Sequence, residues 1–336
     1  MASRLILQME RSTKEEAQNT QATPSPQETP IAILNFDNLD SSSGGHIQTE
    51  NCKFLASYNW TKAKDPTIFV PGAPALWIAP QLPITVPKDD AEARIAEHAN
   101  RIIPPAFSPL FSALQIMQPS YSLLLVSLAS ERSSLRMLLD FAWGRKGSDD
   151  WVIDVELVFT KFGKGLEGSS AHHRIVEYSI AGVKWVVQCQ ADMYTEDNFE
   201  RDMSTSNEIS QPESVYEISG SMGTLSLQGG THGVPLAGVT VIQEGYLVPP
   251  ASIAELKGKK IESKNNLWNM TPQCWFSQTE RLFIARREEG LVTNEPEDFN
   301  MAAKFKQWEK NHQKQLGKLI TSLRKLGRSP RKDGAV

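Results

Sequence analysis

Val183-Lys-Trp-Val-Val-Gln-Cys-Gln-Ala-Asp192 is the stretch of this 336-residue chain that decides its fold. Successive side chains of a strand point to opposite faces, so Trp185 and Cys189 share one face while Gln190 and Asp192 share the other. The first face is wholly apolar, whereas the second ends in a polar pair. This arrangement predicts a core strand whose end forms one edge of a site.

A second strand, predicted over residues 252–257, carries Glu255 and Lys257 on one face. The pair is uncommon on such an apolar strand, because buried charges must be paired or must bind a metal ion. With Asp192 it forms the minimal set for phosphodiester hydrolysis, in which carboxylates hold Mg²⁺ or Mn²⁺ and a lysine holds water or offsets charge. Glu156 is a further acid in a strand-like run. Glu-x-Lys is also common on solvated surfaces, so the spacing alone leaves that alternative open.

The pattern around these strands predicts an α+β fold with a mixed or antiparallel central sheet and flanking helices. Apolar residues recur with a helical period in four segments of the chain. These segments are residues 91–103, 107–117, 130–141 and 300–326. The last of them predicts one long helix near the end of the chain.

The domain boundaries follow from local composition. Residues 11–30 contain no large apolar side chain, and such a stretch cannot offset the entropy lost on ordering. We therefore expect a disordered tail over residues 1–30, a single domain over residues 31–327 and a basic disordered tail over residues 328–336. Within the domain, the polar stretch of about residues 202–235 predicts a mobile loop.

The overall composition narrows the class of protein. Apolar residues make up 40 % of the chain and the net charge is −4, which is typical of a globular domain. The 3 cysteines are too few and too scattered for a disulfide framework, so a reducing compartment is expected. No apolar run approaches the roughly 18 residues of a membrane helix. We expect an intracellular protein of the nucleus or cytoplasm that has no membrane partner.

Four short motifs resemble those of the DXO-type decapping nucleases, in the same order along the chain. They are Arg132-Ser-Ser-Leu135, Glu156 ahead of Phe159, Gln190-Ala-Asp192 and Glu255-Leu-Lys257. Enzymes of this family have a PD-(D/E)XK-like nuclease core and remove incomplete caps or five-prime phosphates from RNA. The resemblance covers about residues 130–290 and implies a hydrolase with RNA as its partner.

The resemblance also implies a role for each matched residue. Asp192, Glu255 and Glu156 would be catalytic carboxylates that, together with Gln190, contact Mg²⁺ or Mn²⁺. Lys257 would orient the attacking water. The residues implied to contact the RNA substrate are Arg132, Arg174 and Gln278.

A group of fungal proteins is similar to the chain over a longer stretch, roughly residues 31–326. The shared motifs include Ser57-Tyr-Asn-Trp60, Thr67-Ile-Phe-Val-Pro-Gly72, His172-His173-Arg174 and the Glu-Leu-Lys strand. Many of these proteins carry the label geranylgeranyl pyrophosphate synthetase. Prenyl-diphosphate synthases hold Mg²⁺ between two Asp-rich helical motifs, whereas this sequence has one acidic stretch and no all-helical pattern. Prenyl transfer is therefore not expected.

Position 190 separates two functional hypotheses. Both related groups typically have Glu there, and Gln190 replaces a charged oxygen ligand by a neutral amide. The first hypothesis is a metal-dependent hydrolase of RNA five-prime ends that is weakened by this change. The alternative is a catalytically inactive member of the same fold that binds RNA or a protein partner. The stretch between Phe141 and Glu156 is shorter than the corresponding stretch of the related proteins. Under either hypothesis, this difference affects the position of Glu156 relative to the other site residues.

Overall fold

The computed structural model describes residues 5–7, 39, 45–86, 104, 107–144, 160–196, 233–263 and 267–328. Within these ranges the chain is an α+β protein with mixed sheets and flanking helices, and this fold class agrees with the sequence prediction. The strand-like run around Glu156, the helix predicted over residues 91–103 and most of the loop predicted over residues 202–235 lie outside the described residues.

The described residues contain five helices. They are α1 (Ser108–Met117), α2 (Arg132–Ala142), α3 (Leu267–Ser277), α4 (Ala302–Asn311) and α5 (Gln313–Arg328). In α2, the buried residues Leu135, Leu138 and Leu139 recur at helical spacing, which forms an apolar stripe that faces the core. None of the described helices is long and apolar enough to cross a membrane.

The strands are numbered in chain order. They are β1 (Leu5–Leu7), β2 (Thr49–Thr61), β3 (Thr67–Gly72), β4 (Ala75–Trp77), β5 (Ile84–Thr85), β6 (Leu128–Glu131), β7 (Thr160–Lys161), β8 (Ser169–Ile180), β9 (Val183–Ala191), β10 (Met193–Tyr194), β11 (Val234–Leu236), β12 (Val239–Gly245), β13 (Ile253–Lys260), β14 (Arg281–Arg287), β15 (Leu291–Val292) and β16 (Glu297–Asn300).

The larger sheet has eight strands in the order β1-β6-β9-β8-β2-β3-β12-β11. Three pairs in it are parallel, namely β1 with β6, β6 with β9 and β3 with β12. The remaining pairs are antiparallel, and the longest of them joins β2 to β8. The predicted strand over residues 183–192 is β9, which lies inside this sheet between β6 and β8.

The second sheet has six strands in the order β16-β14-β13-β10-β4-β7. Its strand β13 pairs in parallel with β14 and antiparallel with β10. Strands β9 and β10 belong to different sheets and are separated by Asp192 alone. The two sheets therefore meet at Asp192, at the end of the strand that the sequence analysis selected.

Helices cover both faces of the larger sheet. On one face, Leu135 of α2, Trp275 of α3 and Trp308 of α4 pack with Val187 of β9 in a single buried cluster that also includes α5. On the other face, α1 packs against a second cluster that contains Val186 of β9. Adjacent residues of β9 are thus buried on opposite sides, as expected for an internal strand of a sheet.

The C-terminal segment differs from the prediction of one continuous helix. It forms α4 and α5, which are separated at His312. The break is stabilised by contacts that only the folded chain supplies, because Gln313 exchanges two hydrogen bonds of 2.7 Å with the backbone of Ile47. Buried Glu309, one turn earlier, accepts hydrogen bonds from the Trp275 indole at 2.7 Å and from the backbone of Thr49 at 3.0 Å.

The N-terminal segment contains a short element that the sequence analysis did not predict. Leu5–Leu7 pair in parallel with Leu128–Ser130 and form the edge strand β1 of the larger sheet. Three consecutive apolar residues are enough to form hydrogen bonds with an unpaired edge strand and extend the sheet by one short strand. The composition argument for disorder rested on residues 11–30, which lie outside the described ranges.

Candidate functional site

Asp192 holds the junction between the two sheets. Its Oδ2 accepts a hydrogen bond of 2.9 Å from the backbone N–H of Leu256 in β13. Since Met193 pairs with Ala254 across β10 and β13, Asp192 lies beside Glu255 in the antiparallel register. The side chain of Asp192 keeps 20 % of its surface exposed, so this end of the junction is open to solvent.

Glu255 and Lys257 project from one face of β13, as strand alternation predicts. The side chain of Glu255 is fully buried and that of Lys257 is 1 % exposed. The Lys257 Nζ lies 3.4 Å from Glu255 Oε2 and 3.7 Å from Asp192 Oδ2. The ammonium therefore lies between two carboxylates, one buried and one partly exposed.

Two further side chains bind the carboxylate of Glu255 from the helix layer. Arg132, the first residue of α2, donates from Nη1 to Oε1 and forms a buried ion pair. Gln273 of α3 donates from Nε2 to Oε2 at 2.7 Å. Both oxygens of Glu255 are thus occupied by donors of the chain itself. We call the group of Arg132, Asp192, Glu255, Lys257 and Gln273 the Glu255 cluster.

The electrostatics of the Glu255 cluster keep its carboxylate charged. Burial alone would raise the pKa of Glu255, but the charges of Arg132 and Lys257, with the hydrogen bond from Arg132, hold that pKa below its ordinary value. Burial also acts to lower the pKa of the Arg132 guanidinium, but the adjacent Glu255 raises it overall. The interior of the cluster is therefore a set of paired ions.

Arg174 lies on β8, opposite Cys189 of β9. Both residues are on the face of the sheet that packs against α2, α3, α4 and α5. The residue is 3 % exposed. Among the residues that the structure describes, its Nη1 has no hydrogen-bond partner. The nearest ring is that of Phe54, whose centroid lies 6.0 Å from the guanidinium carbon. Burial lowers the pKa of Arg174, while the nearby Cys189 and Glu255 act in the opposite direction.

Gln278, which the resemblance assigned to substrate binding, makes other contacts. It follows α3 in the left-handed region, with φ of 51°. Its Nε2 donates to the backbone oxygen of Trp275, and its Oε1 accepts from the Sγ of Cys52 at 3.0 Å. The glutamine that reaches Glu255 is Gln273. The sequence contained one usable signal for it, since a polar amide in the apolar run of α3 requires a buried partner.

Gln190 is exposed and lies on β9 opposite His173 of β8. Alternation along β9 places Gln190 on the face of Val186, which packs with α1, and away from the face of Val187. The expectation that residues 190 and 192 share a face assumed an unbroken strand. In the structure β9 ends at Ala191, so its alternation does not extend to Asp192.

The chemistry of the donor set can be compared with what a divalent cation requires. Mg²⁺ and Mn²⁺ sites are built from several oxygen ligands, mostly carboxylates. In the described part of the chain, no group of three His, Cys, Asp or Glu side chains lies close enough to hold a metal ion. Glu156, predicted as a ligand, lies outside the described residues. The described residues therefore do not fit a complete metal centre, and they form an ion-paired cluster instead.

Comparison with known proteins gives one family. A family model described as a domain of unknown function (DUF8563) matches residues 36–159 and 147–336 of the chain. No curated protein matches the sequence.

Three solved structures illustrate the likeness of the fold. S. pombe Rai1 superposes with a TM-score of 0.53 at 10 % sequence identity, over 88 % of this chain and 90 % of that one. Scheffersomyces stipitis Rai1, solved with (3′-NADP)⁺ and a calcium ion, gives 0.52 at 10 % identity over 90 % and 87 %. Candida albicans Rai1, solved with pU5 and Mn²⁺, gives 0.51 at 11 % identity over 89 % and 86 %. At such identities the likeness establishes a shared fold.

Proposed function

The chain belongs to the DUF8563 family, and we propose that it binds the phosphate groups of RNA five-prime ends at the Glu255 cluster. The observation that carries this proposal is the state of Glu255. Arg132 and Gln273 occupy both of its oxygens, and Lys257 lies between it and Asp192. No oxygen of Glu255 is thus left without a donor of the chain, whereas the Arg132 guanidinium, which uses Nη1 for Glu255, carries further N–H groups that can bind phosphate.

The start of α2 adds backbone donors beside these side chains. The first N–H groups of a helix have no partner within the helix, and they favour anions. Glu131, which precedes α2, makes no side-chain capping bond. Its carboxylate instead accepts from Gln188 at 3.4 Å and from Ser133 at 3.4 Å. The N-terminus of α2 is therefore not capped by Glu131, and Arg132 lies directly at it.

RNA is the phosphate-bearing partner that agrees with the fold. The pU5 ligand of the Candida albicans structure is an RNA oligonucleotide in a protein with the same architecture. A guanidinium matches two phosphate oxygens at once, while an ammonium acts as a point charge. In this proposal Arg132 and Lys257 hold a phosphate group that enters from the exposed edge at Asp192.

Binding without metal is the first test of the proposal. Affinity for a short five-prime-phosphorylated RNA is measured by fluorescence anisotropy in EDTA, with the native protein and with Arg132→Lys. The substitution keeps the charge beside Glu255 but removes the planar fork, so we expect affinity to fall about tenfold or more.

Arg286→Lys is the matched control, because Arg286 of β14 is half-buried and pairs with Glu297 of β16 at 2.8 Å, outside the Glu255 cluster. Its affinity should equal that of the native protein. Absence of RNA binding in EDTA, or an equal effect of the two substitutions, would contradict the proposal.

Metal-dependent hydrolysis of RNA five-prime ends is the second candidate, because Asp192, Glu255 and Lys257 converge as the nuclease resemblance implies. Its cofactor would be Mg²⁺ or Mn²⁺, and calcium and Mn²⁺ are the ions found in two Rai1 structures. Product formation from triphosphorylated, monophosphorylated and capped RNA with Mn²⁺ would support this candidate if Asp192→Asn, a change at the partly exposed carboxylate, abolished it in a protein that circular dichroism shows to be folded. No product with any of these RNAs would leave phosphate binding as the function of the cluster.

A further inference from the structure

The outer surface of the last two helices is basic throughout. In α4 and α5 the exposed positive side chains are those of Lys304, Lys306, Lys310, Lys314, Arg324 and Lys325. The only acidic residue of these two helices, Glu309, is 4 % exposed and binds Trp275 and Thr49 in the interior. The exposed surface of α4 and α5, which we call the basic face, therefore carries positive charge and no acid of its own helices.

The charge of the basic face contrasts with that of the rest of the chain. Residues 301–336 contain ten Lys or Arg and two acidic residues, whereas the whole chain contains 35 and 39. The remainder of the protein is therefore acidic. A surface of one sign repels itself and creates a local potential, which is typical of a surface that attracts a polyanion.

The lysines of the basic face have no counter-ion in the described part of the chain. No ion pair between described residues includes Lys304, Lys306, Lys310 or Lys314. Elsewhere on the surface, Lys53 pairs with Glu177. The charges of the basic face are therefore available to a ligand.

The apolar sides of α4 and α5 are already used in the core. Trp308 of α4 and Leu316 and Leu319 of α5 belong to the buried cluster that these helices share with α2 and α3. A helix that lies on a lipid surface needs its apolar face for insertion, and here that face is occupied. The partner that suits the basic face is therefore a soluble polyanion.

The packing of α3 relates the basic face to the Glu255 cluster. Gln273 of α3 binds Glu255, and Trp275, on the opposite side of the same helix, binds Glu309 of α4. Helix α3 therefore lies between the cluster and α4. Two helix diameters correspond to roughly 20 Å. A stacked RNA strand, at roughly 3.4 Å per nucleotide, spans that distance with about six nucleotides.

We propose that the basic face binds the phosphate backbone of RNA, downstream of the five-prime end that the Glu255 cluster holds. Lysines suit this role, because their flexible point charges neutralise phosphodiesters without reading the base sequence. This inference rests on the proposed function and adds a second contact to it. That contact distinguishes RNAs by length, whereas the Glu255 cluster contacts the end itself.

The test compares two five-prime-phosphorylated oligouridines, of about five and about twenty nucleotides, by fluorescence anisotropy in EDTA. The native protein should bind the long RNA about tenfold more tightly than the short one. The triple variant Lys306→Gln/Lys310→Gln/Lys314→Gln should reduce this advantage to below about threefold. Its affinity for the short RNA should stay within about twofold of the native value.

The salt dependence of binding gives an independent count of the contacts. The loss of three phosphate contacts should make the slope of log K against log salt less steep by about 2 for the long RNA, between about 50 and 200 mM KCl. The matched control is Lys62→Gln/Lys64→Gln/Lys260→Gln, which removes three exposed lysines that have an acid nearby in the sequence, Asp65 or Glu262. It lowers the net charge equally but should keep the native affinity and slope. An equal loss in this control would attribute the effect to net charge and would overturn the inference.

The outcomes separate this inference from the proposed function. Equal binding of the short and long RNAs by the native protein would overturn the role of the basic face and leave five-prime-end binding standing. Length-dependent binding that the triple variant abolishes but Arg132→Lys does not change would overturn the five-prime-end proposal and support the basic face. Displacement of the long RNA by polyglutamate at the same concentration of charge would assign the basic face to an acidic protein, and would overturn the inference.

Discussion

Two ion clusters of this molecule each contain a buried glutamate, but they differ in how far the paired lysines are exposed to solvent. In the Glu255 cluster the carboxylate of Glu255 and the ammonium of Lys257 are almost completely buried. In the second cluster, Glu177 of β8 binds Lys53 at 2.9 Å and Lys184 at 3.5 Å, but these lysines are 53 % and 33 % exposed. The Tyr121 hydroxyl completes this Glu177 cluster.

The comparison shows how burial changes the effect of removing one partner of an ion pair. Water screens the Glu177 cluster, and either lysine can be replaced by solvent. The Glu255 cluster has no such substitute, since removal of one partner leaves an uncompensated charge in the interior. A buried ion-paired group contributes little net stability, because the cost of desolvating its charges offsets their Coulombic attraction. The predictions below test this contrast.

The largest effect is expected from Glu255→Gln. Arg132 and Lys257 would lose their shared counter-ion in a buried setting, and we expect the free energy of unfolding to fall by about 3–5 kcal/mol. Urea denaturation followed by circular dichroism measures this. Glu297→Gln, which breaks the exposed pair with Arg286, is the control and should cost less than about 1 kcal/mol. Similar losses of unfolding free energy in both variants would show that water screens the charges of the Glu255 cluster as it screens an exposed ion pair.

The next effect distinguishes the two glutamines of the α3 segment. Gln273→Met removes a hydrogen bond to a buried carboxylate and should cost about 1.5–3 kcal/mol. Gln278→Gly should change stability by less than about 1 kcal/mol, because φ of 51° suits glycine and offsets the lost side-chain contacts. Thermal unfolding of the two variants gives the comparison. A larger loss of stability in Gln278→Gly than in Gln273→Met would show that Gln278, and not Gln273, has the structural role.

An acid-dependent effect is expected from the Glu177 cluster. Burial would raise the pKa of Glu177, but hydrogen bonds from Tyr121 and Lys53 and the charges of both lysines hold that pKa below its ordinary value. The ionised carboxylate therefore stabilises the folded state. That contribution is present above the ordinary pKa and is lost as the pH falls through the lowered one.

Glu177→Gln should accordingly reduce the loss of stability between about pH 5 and pH 3. Urea midpoints of the native and variant proteins at both pH values measure the difference. Parallel acid losses in the two proteins would show that Glu177 does not contribute to the pH dependence.

The smallest effect is expected from Lys53→Ala. Its side chain is 53 % exposed, and Lys184 stays beside Glu177 in the variant. We expect a loss below about 1 kcal/mol that shrinks further at high salt. Denaturation at low and high ionic strength tests this. A loss of unfolding free energy that is large and independent of salt would indicate that the Glu177 cluster is as well shielded from solvent as the Glu255 cluster.

Part of the candidate site was predictable from the sequence. Alternation placed Glu255 and Lys257 on one face, and the structure brings both to Asp192 and Arg132. These placements depend on local backbone geometry, which neighbouring residues largely determine. The amphipathic stripe of α2 was predictable for the same reason.

Other features could not be read from the sequence. The selection of Gln273 over Gln278 depends on how α3 packs against β13 and on the backbone turn at the end of that helix. β9 ends at Ala191, where the two sheets meet, so the alternation that was applied from Gln190 to Asp192 stops one residue short of Asp192. The division of the last helix at His312 likewise depends on Gln313 and its contact with Ile47, far away in the chain.

The sequence by itself determined the α+β class, the two strands that carry the charged residues and the side of β13 from which Glu255 and Lys257 project. Periodicity is a local property, so the printed residues are enough to establish it. Tertiary structure alone decided that Glu255 pairs with the cations of Arg132 and Lys257 and accepts a hydrogen bond from Gln273, and that the Nη1 of buried Arg174 has no hydrogen-bond partner among the described residues. The pairing of Arg132 with Glu255 joins residues that are 123 positions apart in the chain. Burial strengthens the effect of this pairing, because the interior screens charge far less than water does.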